Sequence, residues 1–149
     1  MDIRYDANAS RGFTTFEFVS EGPNGSVTKV VRYTEINLKG FYNLGFGDED
    51  PVTGYVSDTS VTNNNDSQKV LATVAATLYV FMDAHPGATV IATGSTEART
   101  RLYRMGIANN LEAIERDYIV LGLAEENWQP FQKGVHYGAF LVRRKSLPL

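Results

Sequence analysis

The sequence contains no cysteine, and this absence removes several classes of protein from consideration. A chain without thiols has no disulfide bond, no thiolate nucleophile and no cysteine-based zinc site. No run approaches the roughly 20 apolar residues of a membrane-spanning helix. The first ten residues also have neither the basic start nor the apolar core of a secretory signal. We therefore expect a cytoplasmic protein that has no association with a membrane.

Positive charge is missing from one long segment. From Gly45 to Asp66 there is no lysine or arginine, and this segment contains the acids Asp48, Glu49, Asp50, Asp58 and Asp66. The net charge of −3 gives the whole chain no attraction to nucleic acid. Basic residues gather later in the chain, at Arg99, Arg101, Arg104, Arg143, Arg144 and Lys145. A basic surface would therefore have to be assembled by folding.

The remaining composition is that of an ordinary globular domain. The 149 residues are 43% hydrophobic and 21% charged, which is enough to bury a core without a metal or a disulfide. No linker or internal repeat divides the chain, so we predict one domain over residues 1–149. The weakly patterned segment 48–66 is predicted to be an acidic loop.

The pattern of apolar residues predicts the secondary structure. Alternation in the first third predicts strands over 13–19, 27–36 and 41–46, which would form a three-stranded meander. Apolar residues at helical spacing predict a long helix from Ser67 to Ala84, ended by His85, Pro86 and Gly87. The final third predicts strands at 89–93, 119–121 and 136–143, with a turn over 125–130.

Two shorter helices are predicted in the second half. The first begins at Ser95 or Thr96 and ends near Gly106, and the second is capped by Asn109 or Asn110. The sequence therefore predicts an α+β fold with an antiparallel or mixed sheet. The N-terminal meander, one long central helix and two shorter helices packed on it would complete this fold.

The stretch from Thr89 to Met105 carries the strongest indication of function. A β-branched strand is followed by Gly94, and then by a helix whose first hydroxyl can accept from an unpaired backbone amide. Amides at a helix N-terminus attract anions, and a glycine permits close approach to the backbone. We therefore predict a site for a phosphate-bearing ligand, either a nucleotide or a nucleic acid, without a cofactor or metal. Its predicted residues are Gly94, Ser95, Thr96, Arg99, Arg101, Tyr103 and Arg104.

The arginines of this helix differ in their sequence neighbours. Glu97 lies four residues before Arg101, so these two side chains are expected to pair. Arg99 has no acidic residue three or four positions away and therefore needs an anion from elsewhere. A ligand can supply that anion, and so can an acid of another segment, such as Asp48 or Asp50.

These two sources give two hypotheses of different classes. In the first, the protein is a binding module for a phosphate-bearing ligand. In the second, it is a structural or partner-binding domain, either a homodimer or the partner of another protein, with Arg99 in an internal ion pair. A third hypothesis is a metal-dependent hydrolase or nuclease that uses the acidic loop, although its spacing matches no EF-hand.

Several short stretches, spread over nearly the whole chain, form a recognisable combination. They are Phe16-Glu17-Phe18 with Gly22-Pro23, Asn43-Leu44 with Phe46-Gly47-Asp48, Lys69 to Val74, Gly94-Ser95-Thr96 with Arg99 to Tyr103, and Tyr137 with Phe140. In this combination the chain resembles a family of small bacterial proteins, mostly from Bacteroidetes, classed as a domain of unknown function. The resemblance implies a bacterial, single-domain protein and supplies no catalytic residues.

Overall fold

The computed structural model describes residues 4–57 and 64–145. These residues form nine strands and two helices, which are β1 (Asn8–Ala9), β2 (Thr15–Gly22), β3 (Gly25–Glu35), β4 (Phe41–Glu49), β5 (Val56–Ser57), α1 (Ser67–Ala84), β6 (Thr89–Ala92), α2 (Glu97–Asp117), β7 (Tyr118–Ala124), β8 (Asn127–Pro130) and β9 (Ala139–Arg144). The prediction of an α+β fold with a mixed sheet is confirmed.

All nine strands belong to one sheet. Its order is β1-β2-β3-β4-β6-β9-β7-β8, and β5 pairs with the end of β4. The pairing of β4 with β6 is parallel and the other pairings are antiparallel. Parallel neighbours need a crossover connection, and α1 supplies it. The predicted three-stranded meander is only approximate, because β1 extends β2 to β4 at the sheet edge and β5 adds a pairing.

The first helix has the predicted bounds and buries one side on the sheet. The Thr77 hydroxyl lies 2.9 Å from the Tyr33 hydroxyl of β3. The Phe81 ring stacks on the Tyr33 ring with 4.2 Å between centroids. At the helix start, the Asp66 carboxylate accepts from the hydroxyls of Tyr5 and Ser20, both at 2.6 Å, rather than from a helix amide. This carboxylate therefore ties the beginning of α1 to the N-terminal strands.

The prediction of two shorter helices after β6 is wrong. The described residues form a single 21-residue helix, α2, which is longer than the 18-residue α1. Gly106 does not end it and lies inside α2. A Cβ at this position would lie 3.3 Å from the Leu71 side chain of α1. The glycine therefore permits close packing between the helices. Asn110 does not cap a new helix either, since its side-chain amide donates to the Gly106 carbonyl within α2.

The C-terminal elements also differ from the prediction. Only Glu125 and Glu126 form the turn, both with positive φ, of 48° and 71°. Asn127 to Pro130 continue as β8, paired with β7. The last strand begins at Ala139 rather than at His136.

Both helices pack on the same face of the sheet. They enclose an apolar cavity of about 60 Å³ together with Leu44, Val90, Ala92, Phe140 and Val142 from β4, β6 and β9. The core therefore lies between one sheet face and the two helices. Among the described residues, neither helix has the length and apolar character needed to cross a membrane.

Candidate functional site

The turn between β6 and α2 has the predicted cap. Thr96 is the N-cap residue of α2, and its hydroxyl accepts from the Arg99 amide at 3.1 Å. The Gly94 amide donates to the Thr100 hydroxyl at 3.2 Å, which folds the turn over the first helical residues. A Cβ on Gly94 would lie 2.3 Å from the Thr100 nitrogen, so only glycine fits this turn. The close approach between Gly94 and the backbone of Thr100 therefore explains why a glycine stands at this position.

A surface groove of about 690 Å³ lies beside this turn. One wall comes from the turn and the outward side of the first α2 turns, and the other comes from the segment that enters β9. The groove is lined by Gly94, Ser95, Thr96, Glu97, Thr100, Arg101, Arg104, His136, Tyr137 and Gly138. Five of the seven predicted site residues therefore meet in one groove, and Arg99 and Tyr103 are not among its lining residues.

Two arginines bring positive charge to the groove. Arg101 is exposed and Arg104 is half-buried. The Arg104 Nη1 lies 2.5 Å from His136 Nδ1, and because a guanidinium only donates, Nδ1 is the acceptor of this hydrogen bond. Within residues 4–57 and 64–145, neither arginine makes an ion pair. The expected pair between Glu97 and Arg101 is therefore not formed.

Arg99 lies on the opposite side of α2 and is only 3% exposed. Successive helical residues are rotated by about 100°, so Arg99 and Arg101 point about 200° apart. The guanidinium of Arg99 lies over the Phe46 ring of β4, 4.9 Å from its centroid. Tyr103, one turn later, is also buried. The structure therefore places these two predicted ligand contacts in the interior, because their helix face is the one that packs on the sheet.

The two acids predicted as partners of Arg99 make other contacts. Asp48 accepts from Lys29 Nζ at 2.6 Å, and both side chains are buried beside the Phe46 ring. Asp50 is exposed, and its carboxylate accepts from the amides of Val52 and Thr53. These backbone hydrogen bonds lower the pKa of Asp50, and the one from Thr53 has the largest effect. Part of the predicted acidic loop, including Asp58, lies outside the described residues.

The sequence interpretation missed the second wall of the groove. Tyr137 is fixed there by its hydroxyl, which accepts from the Gln132 amide at 3.0 Å. Its ring occupies the space over Gly122, where a Cβ would lie 2.5 Å from the ring atoms. A glycine inside β7 was the one sequence signal of this close contact. Nothing in the spacing of residues indicated that His136 would reach Arg104.

The described part of the chain holds no group of three or more histidine, aspartate or glutamate side chains placed to bind a metal ion. Near the end of β4, Asp48 is paired with Lys29, and Asp50 accepts from the amides of the turn that follows. The hydrolase hypothesis therefore gains no ligand set from these residues.

The model of a family of unknown function, DUF6934, matches residues 2–145. The predicted resemblance to a domain of unknown function is confirmed, whereas a bacterial origin and a cytoplasmic location stay expectations. No curated protein and no solved structure matches the chain.

Proposed function

Since the chain belongs to DUF6934, a family of unknown function, we propose its role from the groove alone. The protein is a binding module for a phosphate-bearing ligand, held beside the start of α2. The observation that supports this proposal is the convergence of Arg101 and Arg104 with the turn residues Gly94, Ser95 and Thr96 on one groove.

The electrostatics of the groove support an anion. The N-terminal end of α2 carries the positive end of the helix dipole, equivalent to about half an elementary charge. Arginine guanidinium groups bind phosphate through paired hydrogen bonds. Because the described carboxylates make no ion pair with Arg101 or Arg104, both guanidinium groups retain donors for a ligand. Among the described residues, Glu97 is the one acid that lines the groove, and it opposes anion binding.

The dimensions of the groove favour a nucleotide over a long nucleic acid. Its volume of about 690 Å³ lies within the usual range for small-molecule sites, roughly 300–1,000 Å³. The net charge of −3 gives no attraction to a polyanion beyond the groove itself. A nucleotide therefore ranks first, and a nucleic-acid end that presents one or two phosphates ranks second.

Isothermal titration calorimetry tests the proposal with inorganic phosphate, AMP, ATP and a single-stranded RNA hexamer as probes. We expect binding of at least one nucleotide. Replacing both groove arginines (Arg101→Ala with Arg104→Ala) should weaken it at least about tenfold, a loss of about 1.4 kcal/mol. The matched control is Arg116→Ala, an exposed arginine in the last turn of the same helix, which should leave the affinity unchanged.

Absence of heat with every probe would contradict the proposal. Equal weakening by Arg116→Ala would also contradict it, because the effect would then come from overall charge rather than from the groove.

The second candidate is a structural or partner-binding domain. The burial of Arg99 over Phe46 favours the structural role that this hypothesis gives to Arg99. It is compatible with a ligand in the groove, because Arg99 lies on the other side of α2. The hydrolase hypothesis predicts that EDTA changes the melting temperature, and among the described residues no ligand cluster supports it.

A further inference from the structure

The side chains of His136 and Arg104 join the two walls of the groove. Arg104 belongs to α2, and His136 belongs to the segment that leads into β9. Nη1 of the guanidinium donates to Nδ1 of the imidazole at 2.5 Å, across a separation of 32 positions in the chain. His136 is exposed and Arg104 is half-buried. A ligand in the groove can therefore reach the imidazole as well as the guanidinium.

The protonation state of the imidazole decides whether this hydrogen bond exists. A guanidinium has donors and no acceptor, so His136 must offer a lone pair on Nδ1. A protonated imidazole carries a hydrogen on both ring nitrogens and has no lone pair left. Histidine is the side chain that ordinarily makes this change between pH 5 and 8. Protonation of His136 therefore breaks its hydrogen bond with Arg104 and places a second positive charge beside the guanidinium.

The other titratable groups of the groove determine how unfavourable that second charge is. On α2, Arg101 adds a positive charge one turn before Arg104, and Glu97 lies seven residues before it, about 10 Å along the helix axis. On the other wall, the Tyr137 hydroxyl is engaged with the backbone. These are the remaining titratable side chains among the described lining residues. In the empty groove, proton uptake by His136 is therefore opposed by its nearest charged neighbour.

An anion bound beside this pair reverses the balance. Its oxygens accept from the guanidinium donors that the imidazole has released, and they also accept from an imidazolium N–H. The repulsion between two neighbouring cations is then offset by the attraction of each cation to the same anion. Because such coupling is reciprocal, an anion that favours the protonated groove also binds it more tightly than the unprotonated groove.

We propose that His136 is a ligand-binding residue of the groove, and that its protonation, with release of Arg104, makes anion binding tighter as the pH falls. The inference rests on the proposed function, because it assigns a residue and a proton to the same groove. The gain is largest for an anion whose own charge is constant between pH 5 and 8, such as a sulfate or a phosphodiester. A phosphate monoester gains less, since it takes up a proton itself near pH 6.

The chain contains a second histidine, which supplies a matched control. His85 is the C-cap residue of α1, and its Nε2 lies 2.9 Å from the Gly12 carbonyl oxygen. His136 precedes the start of β9, whereas the end of β9 contacts the last turn of α1 through Arg144 and Asp83. The two imidazoles therefore lie at opposite ends of this strand.

Isothermal titration calorimetry at pH 7.5 and pH 5.5, with sulfate, AMP and ATP as probes, tests the coupling. We expect the affinity of the unsubstituted chain for sulfate to be at least about fivefold higher at pH 5.5. In His136→Gln the amide oxygen can still accept from Arg104 and carries no charge, so the ratio should fall below about twofold. His85→Gln should keep the ratio of the unsubstituted chain.

Proton uptake gives an independent readout in the same instrument. Titrations at pH 6.5 in two buffers with different heats of ionisation measure the protons taken up for each ligand bound. We expect about half a proton more for the unsubstituted chain than for His136→Gln, and no such difference for His85→Gln. Comparison with His136→Gln removes the protons that the ligand itself exchanges.

Binding of equal strength at both pH values would overturn the coupling and leave the proposed function intact. A pH dependence that His136→Gln retains would also overturn it, because the proton would then be taken up elsewhere. Failure of the proposed function has a different signature, which is the absence of heat with every probe at both pH values, and it would overturn the coupling as well.

Discussion

The two sides of α2 carry the same residue type in opposite environments. Arg99 is buried over an aromatic ring of the sheet, whereas Arg101 and Arg104 lie along an open groove. The rotation of about 200° between Arg99 and Arg101 decides this difference. An arginine on the inner side stabilises the fold, and one on the outer side is available to a ligand. The position of each guanidinium in the folded chain therefore indicates its role better than its sequence neighbours do.

The largest expected effect comes from the inner side. Arg99→Ala removes a buried side chain and its contact with the Phe46 ring. We therefore expect the free energy of unfolding to fall by about 2–4 kcal/mol. Arg101→Ala, two residues later and exposed, should change stability by less than about 0.5 kcal/mol. Urea denaturation of the two variants measures the contrast. Similar stabilities of the two variants would show that the inner arginine contributes no more to folding than the outer one.

An intermediate effect is expected at the cap that the two sides share. Thr96→Ala removes the hydroxyl that accepts from the Arg99 amide, and the loss of such a cap costs about 1 kcal/mol. The same variant should weaken ligand binding, since the turn that presents the amides is less well fixed. Thermal denaturation and calorimetry measure the two effects. Thr96→Ser keeps the acceptor and should restore both, and its failure to do so would assign the effect to the methyl group.

The smallest expected effect is that of Glu97→Gln, which should lower stability and strengthen ligand binding. Glu97→Gln removes a carboxylate from the first turn of α2, where it interacts favourably with the helix dipole, so stability should fall by about 0.3 kcal/mol. The same carboxylate lines the groove, so its removal should strengthen binding of a phosphate-bearing ligand by about two- to fivefold. Weaker binding by this variant would mean that Glu97 contacts the ligand as an acceptor.

Local sequence patterns predicted the parts of the fold that depend on local interactions. The bounds of α1 followed from its apolar periodicity, and the start of α2 followed from the capping preference of Ser95 or Thr96, of which Thr96 is the N-cap. The continuation of α2 past Gly106 did not, because the close approach of Leu71 from another helix, which favours glycine at this position, cannot be read from the local sequence. A turn was predicted over 125–130, but the sequence did not confine it to Glu125 and Glu126, because both adopt a positive φ that glutamate rarely has.

The candidate site was predictable only on the side formed by one continuous stretch. Gly94, Ser95 and Thr96 were identified because strand, turn and helix follow each other in the chain. His136 and Tyr137 come from a segment about thirty residues beyond Arg104, and only the antiparallel pairing of β9 with β6 brings them near. Charge spacing also led to the wrong expectation for Glu97 and Arg101, since both face an open groove in which nothing holds them together.

We propose that the outer side of α2, and not the inner side, meets a phosphate-bearing ligand. NMR of the backbone amides and of the arginine side-chain Nε–H groups during titration with AMP tests this most directly. We expect the largest shifts at Gly94, Ser95 and Thr96, together with the side-chain Nε of Arg101 and Arg104, and no comparable shift at Arg99 Nε. Shifts that are absent from the turn, or that are largest at Arg99, would contradict the claim.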